Sequence, residues 1–153
     1  MEDQLVETWA INNRINLYLL AAVAPEALPG VSASKGRSVG EMFAHMHNVR
    51  LMWLQTAAPA LLAGLSKFEK DATADHDTLR GALIASGHAI GQLLRDGLAA
   101  GRIKGFKPHP TAFLGYLIAH DAYHRGEIGI VLKQAGHPLD QKTSYGLWEW
   151  GVR

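Results

Sequence analysis

His120 and His124 stand four residues apart in a series, Phe113, Leu117, His120, His124, Ile128, Val131 and Ala135, that advances by threes and fours. This rhythm predicts a helix with these residues on its core-facing stripe. Four residues along a helix amount to about 40° of net rotation, so both rings leave the same face one turn apart and can converge on a single ion. An imidazole on an apolar stripe needs a partner, because a desolvated polar group without one is costly. A backbone carbonyl could fill that need as well as a metal.

A third donor must come from a second helix, and residues 38–56 offer His45 and His47. Two positions apart on a helix is about 200°, so only one of them can share a given face. Met42, His45, Val49, Met52 and Thr56 make an apolar stripe, whereas Phe43, His47, Arg50 and Leu54 make a mixed one containing a charge. His45 is therefore the expected ligand beside His120 and His124, and His47 is expected at the surface or an interface. His76, His88, His109 and His137 have no comparable setting.

Three neutral imidazoles leave room on a metal for water or substrate, which is the pattern of catalytic rather than structural sites. Such a donor set accepts zinc, nickel, iron or copper; zinc or nickel is the expectation here. The chain has no cysteine, which excludes disulfides, thiolate ligands and a cysteine nucleophile. It lacks the paired Glu-x-x-His motifs of di-iron bundles, and no phosphate-binding Gly-x-x-x-x-Gly-Lys-Ser/Thr occurs. No catalytic residue and no organic cofactor site is identified.

Four helices are needed to position these residues. The first covers residues 2–23, with Leu5, Trp9, Asn12, Ile15, Leu19 and Val23 at helical intervals, and Pro25, Pro29 and Gly30 end it. The second opens at Ser38, where Ser38 and Glu41 form a capping-box pattern, and runs to Thr56 before Pro59 kinks or restarts it. The third covers 75–100 despite Gly81, Gly87, Gly91 and Gly97, each lowering helix propensity by about 1 kcal/mol against alanine, so packing must hold it. Gly97, Gly101 and Gly105 suggest a fraying end more than a packing motif. The fourth starts at Pro110 and stops at Gly136, followed by Pro138. Nothing alternates with period two, so the class is all-α: a four-helix bundle, antiparallel or crossover. The tail from Thr143 should be irregular and pack back through Trp148 or Trp150, or cover a neighbouring subunit. Trp53 and Tyr123 are expected to pack rather than catalyse.

These residues resemble the DinB-like family. The helix opening Ser38-Val39-Gly40-Glu41-Met42-Phe43-Ala44-His45 is similar to the one that carries the family's first ligand. His120, His124, Arg125, Gly126 and Glu127 resemble its histidine pair followed by Arg-Gly-Gln/Glu, with Glu127 where Gln is common. Ala135-Gly136-His137-Pro138 and Tyr145-Gly146-Leu147-Trp148-Glu149-Trp150-Gly151 look like its closing segment, so the likeness spans nearly the whole chain. The resemblance implies a metal-binding four-helix bundle, a homodimer and, as in some members, a metal-dependent transfer of a low-molecular-weight thiol to a small electrophile.

Length and composition agree with one domain over residues 1–153, able to bury roughly two thirds of its unfolded surface. Fifteen basic against fourteen acidic residues leave a formal charge of +1, with no basic run, so nucleic acid is not an expected partner. The acidic start, Met1-Glu2-Asp3-Gln4, lacks the features of a secretory signal, and the uncharged stretch 51–66 is broken by Gln55 and Pro59. A cytoplasmic protein without membrane segments is expected. Two other functions fit the same residues: a non-enzymatic metal- or ligand-binding stress protein, and a dimeric helical interaction module with structural histidines. Glu41, Asp121 and Glu127 are each explained by caps or solvated faces and receive no role.

Overall fold

The computed structural model describes residues 1–153 and contains five α-helices and no β-strand: α1 (Glu2–Ala22), α2 (Val39–Ala57), α3 (His76–Ala100), α4 (Pro110–Gln134) and α5 (Gln141–Gly146). Single turns of 3₁₀ helix lie at Pro25–Ala27, Pro59–Leu62 and Trp150–Val152. The four long helices match the expected segments, because their ends are written in capping residues. Ser38 Oγ accepts from the Glu41 amide at 3.1 Å, and Glu41 Oε2 accepts from the Ser38 amide at 2.6 Å, so both halves of the capping box form. Asp75 caps α3 through Thr78, and His109, assigned no setting from sequence, caps α4 by accepting from the Ala112 amide at 3.1 Å. Gly136, at φ +82°, turns the chain out of α4.

α1 and α2 each pack against both α3 and α4 but scarcely touch one another, so they occupy diagonal corners of the bundle. The link between them therefore crosses the bundle end, and α2 becomes the neighbour of α4. This crossover brings the two histidine-bearing helices together.

The glycines of α3 allow close approach. Gly87 faces α1, where an added Cβ would lie 2.3 Å from Asn13 Nδ2, and Gly97 faces Ile103, where one would lie 2.2 Å from Cδ1. Across the first contact Trp9 Nε1 donates to Gly87 O at 2.8 Å and Asn13 Nδ2 to Leu83 O at 3.0 Å. The Gly97 segment is thus a packing site rather than a fraying end. Gly101, at φ +70°, caps the helix.

The apolar interior is split into two clusters. One gathers Leu19, Phe43, Met46, Leu83, Ile128 and their neighbours; the other gathers Trp9, Leu54, Ile90, Leu94, Phe113 and Leu117 with theirs. Polar side chains are buried among the four long helices as well, including Asn12 and Asn16 of α1, Arg50 of α2, Ser86 of α3 and Asp121 of α4. The tail differs from the expectation in one respect. Residues 141–146 form a short helix, with Asp140 accepting from the Thr143 amide at 2.7 Å. Leu147 packs on the core and Trp150 is half-buried, while Trp148 is 80% exposed.

Candidate metal centre

α2 contributes His45 and α4 contributes His120 and His124. Their Nε2 atoms meet: His120 lies 3.4 Å from His45 and 3.2 Å from His124. One ligand atom from each ring falls within 4.8 Å of the others, so the three can hold a metal ion. Two nitrogens bound at 2.0–2.1 Å to a tetrahedral cation are separated by about 3.3–3.4 Å, so the observed spacing fits one ion. The three rings stand at steep angles to one another, 50°, 72° and 78°, as rings do when they point edges at a common centre rather than stack.

The remaining ring nitrogens support this reading. His124 Nδ1 sits 2.8 Å from Glu127 Oε1. A carboxylate there takes the Nδ1–H and leaves the Nε2 lone pair facing the cluster, as carboxylates behind metal-bound histidines do. His120 Nδ1 lies 3.7 Å from Asp121 Oδ1, a longer contact that orients the ring by charge. Burial, the nearby Arg37 guanidinium and the other two rings hold His45 well below its ordinary value, at about 4. Burial and His120 also lower His124, against the opposing pull of Glu127. Neutral imidazoles at neutral pH are the protonation state a cation requires.

Asp121 corrects the sequence reading. It is 2% exposed, and its Oδ2 accepts from Asn12 Nδ2 at 2.8 Å, Asn16 Nδ2 at 2.8 Å and Arg50 Nη2 at 3.1 Å. Burial alone would raise its carboxyl, but the Arg50 guanidinium and the surrounding donors outweigh that and hold it at about 2. Arg125 closes the network by donating to Asn12 Oδ1 and Asn16 Oδ1 at 2.9 and 2.5 Å. On α4 the fully buried position is therefore Asp121, with His120 half-buried beside it at the edge of the expected stripe.

α2 is rotated from the expectation, although Met42 of the expected stripe is buried. Phe43, Met46, His47, Arg50 and Leu54 face inward, whereas Met52 is 54% exposed and His45 lies at the boundary. The charge that marked the mixed stripe as a surface is inside because Asp121, Ser86 Oγ and Leu83 O surround it and Trp9 lies under it at 4.9 Å. His47, expected at the surface or an interface, is 1% exposed. Its two ring nitrogens contact Ala82 O at 3.1 Å and Ser66 O at 2.8 Å, away from the cluster. Trp53 packs in an aromatic group with Phe106, Phe113 and Tyr116. Tyr123, expected to pack, is 66% exposed with its ring edge-on to His124.

An all-helical bundle with three imidazoles converging between the adjacent helices α2 and α4 defines a class of helical proteins with a potential metal centre. The DinB family model matches residues 1–149, and the chain belongs to that family. No curated protein matches it. No helix is long and apolar enough to cross a membrane.

Proposed function

We propose that His45, His120 and His124 ligate one divalent cation, zinc or nickel, and that the protein uses it to transfer a low-molecular-weight thiol to a small electrophile. The observation that carries this reading is the convergence of three Nε2 atoms with no fourth protein donor in the cluster. Such a site keeps a position for an exogenous ligand. A bound divalent cation supplies a lowered pKa to a coordinated thiol or water and fixes its position.

The chain's own groups then have defined tasks. Glu127 holds the His124 tautomer and Asp121 the setting of His120. Arg37 acts electrostatically on both His45 and His124, which favours an anionic ligand such as a thiolate. In the transfer, the thiol proton leaves to solvent and the sulfur pair forms the new S–C bond. The leaving group departs with its bonding electrons. A homodimer in the cytoplasm belongs to the same reading; the uncharged, exposed run Tyr116, Ala119, Tyr123 and Ile130 on α4 supports pairing.

Elemental analysis of untagged protein, followed by a panel of thiols and electrophiles with and without chelator, tests the proposal. One equivalent of zinc or nickel and turnover abolished by chelation are expected. Metal-loaded protein that binds thiols yet turns over none of the panel would leave a binding protein instead, and absence of stoichiometric metal would remove the reading altogether.

A further inference from the structure

His45 also forms part of the wall of an open cleft of about 490 Å³. Arg37 and Gly36, just before α2, flank it on one side, and the segment from Phe68 to Ala72 contributes another part of its wall. That segment is held in place by Asn48, whose amide donates to Phe68 O and accepts from the Phe68 amide, both at 2.9 Å. The cleft is therefore anchored to α2 only one turn beyond His45.

Five charged side chains line it, and most are accounted for. Glu41 is engaged by the capping box, and Glu69 pairs with Lys67 at 3.6 Å. Asp71, at φ +63°, is the remaining carboxylate. Arg37 and Lys70 make no hydrogen bond or ion pair with any protein group, so both cationic heads are free to meet a ligand, although the lining as a whole holds two cations against three carboxylates, a formal balance of −1. A divalent cation at the imidazole cluster would turn that balance from −1 to +1.

We propose that Arg37, with Lys70 on the loop wall, binds an anionic oxygen group of the small molecule presented to His45, His120 and His124. The substrate is thus a carboxylate- or phosphate-bearing compound, and Arg37 determines that specificity. This deepens the reading of the site as a thiol-using metal centre and rests on it. The guanidinium is close enough to act on both His45 and His124 electrostatically. Its planar fork matches carboxylate and phosphate oxygens in pairs, which a lysine cannot reproduce.

The test uses cobalt-loaded protein, whose visible spectrum reports thiolate binding without turnover. The probes 3-mercaptopropionate, 2-mercaptoethanol and cysteamine present a carboxylate, a hydroxyl and an ammonium behind the same sulfur. The wild type should bind 3-mercaptopropionate about tenfold more tightly than 2-mercaptoethanol, and cysteamine least, with the preference shrinking as salt rises. Arg37→Gln should erase the preference and leave cobalt content unchanged, with 2-mercaptoethanol affinity falling far less than that of 3-mercaptopropionate, and Arg37→Lys should retain part of the preference. Arg37 is exposed and lies outside the helices, so these variants fold. Equal affinities in the wild type, or a preference that survives Arg37→Gln, overturn the inference.

A second arm reads the cleft without metal. Glutarate and inorganic phosphate are titrated into metal-free protein while amide resonances of residues 36–48 and 68–72 are followed. Saturable shifts lost in Arg37→Gln support the inference, and the better probe separates carboxylate from phosphate. If the protein takes up no cobalt, the metal-centre reading fails by itself and this arm still decides: absence of saturable shifts overturns the anion site.

Discussion

Replacing Asp121 by alanine should destabilise the protein by about 3–5 kcal/mol, the range for breaking a buried ion pair from one side. The structure supports the upper part of the range. The carboxylate is 2% exposed, Arg50 is 1% exposed, and three donors share one oxygen. A fall in the carboxyl from 3.8 to about 2 accounts for about 2 kcal/mol of linked stability. The rest comes from Asn12, Asn16 and Arg50 being left in the interior without their acceptor. Urea unfolding with an unchanged m-value measures it, and the melting temperature should fall by about 10 to 15 °C. The sign with pH follows from the lowered carboxyl: in the wild type this contribution is complete above the unfolded value of 3.8 and disappears as pH falls towards 2. The variant should lack that step. Because Asp121 also orients His120, zinc affinity should drop by 10- to 100-fold, the usual cost of removing a group behind a ligand (on the order of that range). A loss below 1 kcal/mol would refute the network as the joint between the helices.

His45→Ala and His47→Ala should separate the two imidazoles of α2. The first should abolish tight metal binding in equilibrium dialysis with little loss of stability; the second should keep the metal but cost about 1–3 kcal/mol, since it removes the one ring N–H that a neutral imidazole donates to Ala82 O or Ser66 O and empties a buried position. Glu127→Ala should weaken zinc binding about tenfold without changing the circular dichroism spectrum, and equal affinity would remove Glu127 from the site. Metal-free protein should lose stability as pH falls from 6.5 towards 4. His45 and His124 stay neutral in the folded state while the unfolded chain takes up protons, so a flat profile over that window would contradict their burial.

Helix existence and limits were legible because capping residues act locally: Ser38 with Glu41, Asp75, Pro110 and Gly136 do their work within one turn of chain. The stripe of α1 was legible too, since Trp9, Asn12, Ile15 and Leu19 are buried as their spacing required. On α4 Phe113, Leu117, His124, Ile128 and Val131 are buried as their spacing required, with Asp121 turned further inward than His120, whereas the inward face of α2 lies about one residue from the expected stripe. A sequence reading sends a charge outward, and it had no means of knowing that Arg50 and Asp121, 71 positions apart, would neutralise one another inside. His47 was misplaced for the same reason, its partners being backbone carbonyls of distant segments.

The residues by themselves determined that imidazoles one turn apart on α4 would face one way, and that an α2 histidine was the natural third member, because helical periodicity is a property of the local chain. Whether the three rings meet was decided by tertiary structure alone. The crossover that makes α2 the neighbour of α4, and the buried Asn12–Asn16–Arg50–Asp121–Arg125 network that sets the rotation of each helix, depend on contacts between residues far apart in sequence. No periodicity within one segment carries that information.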